Sequence, residues 1–125
     1  MFLQGAIPLE ELPVVIAGAK IFVYPPLYEG FGLPVLEAMA CGIPVVTSNT
    51  SSLPEIVGDD GFLVDPFSVE SLADGMRNLL TDSFLYDDLK RRALERAKGF
   101  TRKRCAERTY QVYQTLILIN IPFGK

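Results

Sequence analysis

The stretch that most constrains the fold is residues 21–48, IFVYPPLYEGFGLPVLEAMACGIPVVTS, where two short apolar runs flank a segment with proline near its start and glycine past its end. Residues 21–24 form a continuous β-branched and aromatic run, which suits a strand buried on both faces. Pro25 and Pro26 end it, because neither can donate to a ladder. In the segment that follows, Pro34 suits a first helical turn and Gly42 the residue beyond a helix end, so a helix of two to three turns is expected. Residues 44–48 then read as a second strand. Strand, helix, strand in that order implies a mostly parallel sheet covered by helices.

The flanking chain extends this pattern. Residues 9–19 read as a short helix with Leu12, Val15, Ile16 and Ala19 on one face. The polar loop SNTSSLPEIVGDD allows a helical turn at residues 53–57, and residues 61–65 form a further short strand. Beyond Pro66 the pattern is helical. Ser68 caps a helix running to about Leu80, with Val69, Leu72, Ala73, Met76, Leu79 and Leu80 facing inward. A second helix near residues 84–98 sets Leu85, Leu89, Ala93 and Ala97 at a spacing of four and stops at Gly99. A third, capped by Thr101, turns Cys105, Thr109, Val112, Tyr113 and Leu116 inward and its arginines outward, with Tyr110 and Tyr113 read as packing residues. The fold class is therefore α/β, a Rossmann-like parallel sheet with flanking helices and a helical C-terminal extension. Residues 1–66 form the α/β part and residues 67–125 the helical part of one domain. The tail LILINIPFGK is apolar without a period and calls for a cover.

Charge is unevenly spread. Residues 1–89 carry 13 acids against Lys20 and Arg77, a net of −11, whereas residues 90–125 carry 10 bases against Glu95 and Glu107, a net of +8. The basic run from Lys90 to Arg108 reads first as a solvated helix face, and second as a weak hold on an anionic lipid surface. No nucleic-acid partner is expected. The chain has no histidine, which excludes histidine-dependent catalysis, and Cys41 and Cys105 lack metal-like spacing. Two lone cysteines are expected to be small buried hydrophobes in a reducing compartment. Asp59, Asp60 and Asp65 read as solvated turn acids, so no metal site is expected. With no apolar run near the roughly 20 residues that span a bilayer and no secretory leader, a cytoplasmic location is expected.

Chemistry concentrates after the first strand. In open α/β sheets ligands bind beyond the carboxyl ends of the strands, where residues 28–33 lie. Gly30 and Gly32 permit unusual backbone angles and close approach. Amides of Phe31, Gly32, Leu33 and Val35 would be free donors at a positive helix terminus, an anion site suited to phosphate. Glu29 and Glu37 stand eight residues apart; as acceptor-only groups they suit pairs of sugar hydroxyls. Position and spacing alone leave a structural alternative open, with Glu37 complementing the helix dipole and Glu29 merely solvated. Thr47 and Asn49 follow the second strand and are candidates for the pocket wall. Ser51, Ser52, Pro54 and Glu55 read as a turn stabilised by local side-chain bonds. A dinucleotide fingerprint is not met, because the third glycine is missing.

The segment EGFGLPVLEAMACGIPVVTS resembles the E-x7-E signature of retaining glycosyltransferase family 4, with Glu29 and Glu37 as the two acids. The likeness runs over about residues 2 to 116, through SLPEIVGDDGFLVDP to AERTYQVY. It implies the second half of the C-terminal, donor-binding domain of a two-domain GT-B enzyme. On that likeness Glu37 binds the donor ribose, the Gly32, Leu33 and Pro34 segment lies against the donor, and Glu29 contacts the transferred sugar as the catalytic residue; Gly30 and Phe31 from the loop reading and Thr47 from its strand-end position are added as donor-binding candidates. The substrate would be a nucleotide-sugar such as GDP-mannose or UDP-glucose, with no resident cofactor. The acceptor, a sugar or lipid-linked sugar, would be held by an N-terminal domain, with peripheral contact at the inner membrane surface. A non-catalytic nucleotide-binding or interaction module on the same scaffold is the alternative. Two positions depart from the family pattern: Pro26 stands where serine is frequent, and Arg102 where an aromatic is common. The family's diphosphate-clamping bases lie upstream of these residues, so the isolated chain is expected to bind donor weakly and to be inactive.

Overall fold

The computed structural model describes residues 5–118. Three parallel strands, β1 (Phe22–Tyr24), β2 (Val45–Ser48) and β3 (Phe62–Val64), form a sheet in chain order, with Phe22 opposite Val45 and Val46 opposite Phe62. Helix α1 (Leu12–Ala17) precedes the sheet, while α2 (Leu33–Ala40) and α3 (Leu53–Val57) make the two crossovers. Helices α4 (Val69–Thr81), α5 (Ser83–Lys98) and α6 (Arg102–Leu118) follow. The period of two along each strand sends alternate side chains to opposite faces. Phe22, Tyr24, Val45 and Leu63 join Ile16, Val35, Ala38, Met39, Leu53 and Ile56 on one face. Val23, Val46, Phe62 and Val64 meet Leu72, Met76 and Leu79 of α4 on the other. Helix α5 serves both cores, giving Leu85 and Leu89 to the second and Ala93 and Ala97 to the first.

Local signals set the helix ends. Pro34 lies in the first turn of α2, and Gly42 follows its end, donating to the Met39 carbonyl. Ser68 caps α4 by accepting from the Ser71 amide, and Asp82 caps α5 by accepting from the Leu85 amide.

Four sequence readings are corrected. β1 is only half-buried along its length, because it is the edge of the three-stranded sheet; β2, the central strand, is buried throughout. The inward face of α4 runs through Leu72, Gly75, Met76 and Leu79, leaving Val69, Ala73 and Leu80 exposed, since the sheet meets the helix one strip further round. Thr101 does cap α6, accepting from the Arg104 amide, but α6 buries no residue: Cys105, Thr109, Tyr110, Val112 and Tyr113 are exposed and only Leu116 is partly covered. The cysteines differ accordingly, with Cys41 half-buried against the first core and Cys105 exposed. Most of the apolar tail lies outside the described residues. No helix among the described residues is long and apolar enough to cross a membrane.

Candidate functional site

Parallel strands deliver their following loops to one end of the sheet, so residues 25–32 after β1 and 49–52 after β2 emerge side by side. The two are joined by a row of hydroxyls. Thr47 Oγ1 donates to the Tyr24 carbonyl at 2.6 Å, Ser48 Oγ to the Pro26 carbonyl at 2.5 Å and Thr50 Oγ1 to the Leu27 carbonyl at 3.4 Å. Ser51 Oγ accepts from the Glu29 amide at 3.2 Å, and Ser52 Oγ reaches the carbonyls of Glu29 at 3.2 Å and Phe31 at 2.9 Å. The five hydroxyls of TSNTSS thus hold successive backbone groups of the first loop. The Ser51–Ser52 bonds are cross-loop bonds, not the local turn bonds read from the sequence. The signal was legible in principle: a loop containing Pro25 and Pro26 offers carbonyls with few matching amides, opposite a run dense in hydroxyl donors.

Glu29 is held within this frame. The Tyr24 hydroxyl donates to its Oε2 at 2.8 Å, and the Gly30 amide to its Oε1 at 3.0 Å. Each oxygen keeps an unused acceptor site. The hydrogen bond to Glu29, followed by partial burial and the carboxylate's negative charge, lifts the Tyr24 phenol above its ordinary range. The Tyr24 proton therefore stays in place at neutral pH and keeps the Glu29 carboxyl group oriented. Glu37, on the second turn of α2, is exposed and its carboxylate has no protein partner among the described residues. One acid is oriented by the protein and the other is free.

Gly32 explains how the loop turns into α2. It is buried, with φ at 102°, and a Cβ there would lie 2.7 Å from Leu53 Cδ2. Only glycine meets both conditions, and its carbonyl accepts from the amides of Val35 and Leu36. The Val35 amide is thus engaged, and the open first-turn donors are those preceding it. Gly30 has no positive φ and open space around it. Phe31 and Leu33 are exposed and Pro34 half-buried.

Thr47 is placed differently from its reading as a pocket-wall residue. It is fully buried in the central strand, its hydroxyl turned to the Tyr24 carbonyl, so it fixes the loop from beneath. Asp60 is no solvated turn acid: Arg92 and Arg96 pair with it at 2.9 Å and 3.4 Å. The basic run therefore divides, with Arg92 and Arg96 turned in upon the α3–β3 turn. No arginine or lysine pairs with Glu29 or Glu37 among the described residues. Lys20 lies at the opposite end of β1, where its carbonyl accepts from the Tyr86 hydroxyl, and Arg77 pairs with Asp74 on α4. A cleft of about 930 Å³ lies beyond Phe31 and Leu33, walled by residues of α2, α3, α5 and α6, and neither Glu29 nor Glu37 lines it.

The loops after β1 and β2 and the start of α2 thus bring Glu29 and Glu37 to one end of a parallel sheet. The family described as glycosyl transferases group 1 matches residues 1–98. The O-antigen chain mannosyltransferase B of Escherichia coli is 46% identical over 112 residues, 90% of this chain and 29% of that protein. The MMP alpha-(1->4)-mannosyltransferase of Mycolicibacterium hassiacum is 41% identical over 115 residues, 86% of this chain and 27% of that protein. Among solved structures, a sucrose-phosphate synthase from Thermosynechococcus elongatus superposes with a TM-score of 0.77 at 33% identity, covering 94% of this chain and 30% of its own. The C-terminal domain of a group 1 family glycosyl transferase from Francisella tularensis gives 0.70 at 33% identity, covering 78% and 51%. The chain belongs to the group 1 glycosyltransferases, and it spans under a third of the length of the two mannosyltransferases it matches.

Proposed function

We propose that this chain is the donor-holding part of a retaining family 4 hexosyltransferase that takes a mannosyl or glucosyl unit from a nucleotide-sugar. The observation that carries the reading is the placement of Glu29, fixed by Tyr24 and Gly30 at the strand ends, with the unpartnered Glu37 on the helix that follows. Two mannosyltransferases among the similar proteins favour the mannosyl donor. Glu37 accepts from the ribose hydroxyls, and Glu29 accepts from the transferred sugar. As the bond to the leaving phosphate breaks, positive charge develops at the anomeric carbon, and the preoriented Glu29 side chain stabilises it. The departing phosphate takes the acceptor proton on the same face, which retains configuration. The cations that balance the diphosphate come from outside these residues, and no resident cofactor is required.

The test is transfer by the complete enzyme carrying this chain. Glu29→Gln is expected to lower kcat by about a hundredfold or more, the scale of losing one preoriented electrostatic contact. Glu37→Gln is expected chiefly to raise the donor KM. Unchanged transfer in both variants would instead support a non-catalytic module on the same scaffold.

A further inference from the structure

The C-terminal end of α5 reaches the Glu29 loop by two routes that meet at one side chain. Arg96 Nε donates to the Ile56 carbonyl at 2.5 Å and Nη2 to the Glu55 carbonyl at 2.8 Å, while Nη1 reaches Asp60 Oδ2 at 3.4 Å. The five-residue α3 leaves its last carbonyls without helical donors, and Arg96 supplies them. The guanidinium lies against Gly58, where φ is 56° and a Cβ would come within 2.8 Å of Arg96 Cζ. At its other end α3 grips the loop: Leu53 fills the space above Gly32, and the Ser52 hydroxyl, at the cap position, lies within reach of the carbonyls of Phe31 at 2.9 Å and Glu29 at 3.2 Å, its one proton serving either. The second route is aromatic. Arg96 Cζ stands 6.0 Å from the Phe100 ring centroid, and the Phe100 ring meets Phe31 edge-on, with centroids 6.5 Å apart and planes at 77°. Phe31 lies directly between Gly30 and Gly32.

We infer that Arg96 and Phe100 are positioning residues for the Glu29–Gly32 loop, Arg96 acting through α3 and through Phe100, and Phe100 through Phe31. Neither touches the donor; each fixes the loop that does. The inference rests on the reading of that loop as the donor site. It also gives the inward-turned part of the basic run a task distinct from binding anions. Arginine is required at this place, because a fork of donors spanning two carbonyls and a carboxylate is geometry that lysine lacks.

Amide hydrogen exchange on residues 29–33 and 53–58, compared among the native chain, Arg96→Met, Arg96→Lys and Phe100→Leu, tests it. Arg96→Met is expected to speed exchange in both segments by about tenfold, the scale of one lost charge-assisted hydrogen bond, with Arg96→Lys intermediate. Phe100→Leu is expected to speed residues 29–33 and leave residues 53–58 unchanged. Faster exchange at 53–58 with none at 29–33 in Arg96→Met would reduce Arg96 to a cap of α3 and overturn the inference. Should Arg96→Met unfold, Phe100→Leu decides: unchanged exchange at 29–33 overturns the proposal. In the complete enzyme, Arg96→Met is expected to raise the donor KM, with partial rescue by lysine. A Glu37→Gln enzyme with unaltered donor KM would remove the donor-site reading and leave the exchange result standing.

Discussion

Helices α5 and α6 follow one another and carry similar patterns, yet they end in different environments. In α5, Leu89, Ala93 and Ala97 recur every four residues and all are buried, while Tyr86, Arg92 and Arg96 reach across to backbone carbonyls of distant segments. In α6, Cys105, Thr109, Val112 and Leu116 recur at three or four, and none is buried. Periodicity states which side chains share a face; it does not state that anything meets the face. The difference lies in what the sequence provides on the other side. The small Ala93 and Ala97 let α5 close on the core that contains α2, whose Val35, Ala38 and Met39 need cover. No described element offers α6 a matching strip. Thr109 and Thr115 instead bond back to carbonyls of their own helix, Cys105 and Gln111.

The comparison is broken most readily by truncating each face. Leu89→Ala is expected to cost about 2–5 kcal/mol in denaturant unfolding of this chain, because it opens a cavity in a core that has no slack. Val112→Ala at the equivalent strip of α6 is expected to fall within about 0.5 kcal/mol. Equal losses would mean that α6 is packed in solution and that the contrast is false.

A smaller effect sharpens the same contrast through pH. Hydrogen bonds from Arg92 and then Arg91 hold the Asp88 carboxyl below the ordinary carboxylate range. A pKa lower in the folded than in the unfolded chain contributes stability above the unfolded value, and that contribution is lost as pH falls through the folded value. Stability should therefore decline below about pH 4 in part through Asp88, and Asp88→Asn should flatten that slope. The sole carboxylate pair of α6 among the described residues, Lys103 with Glu107 at 3.9 Å, is wide and exposed, unlike the Asp88 pairs of α5.

The sequence was most informative where local chemistry decides structure. Proline and glycine punctuation placed α2, Ser68 placed the start of α4, and the short turn at residues 53–57 is a helix as read. The two acids around the helix start were visible for the same reason, since loop and helix lie within one short stretch. What was not legible depends on contacts distant in sequence. The hydroxyl row from TSNTSS bonds across 21 to 23 residues, and Arg96 reaches back 40 and 41 residues to its carbonyls. Thr47 illustrates the limit: a hydroxyl at a strand end suits a pocket wall, but in a central strand it points into the protein.

On the proposed function, the donor contacts of this chain lie in the loop and helix start spanning Glu29 to Glu37. Titrating the isotope-labelled chain with GDP-mannose or UDP-glucose, while following backbone amide shifts, tests it most directly. Weak, saturable shifts confined to residues 29–37 and the hydroxyl row, with affinity in the millimolar range, are the expected result. Shifts confined to α5 and α6, no shifts at all, or micromolar affinity from this chain alone would contradict the account.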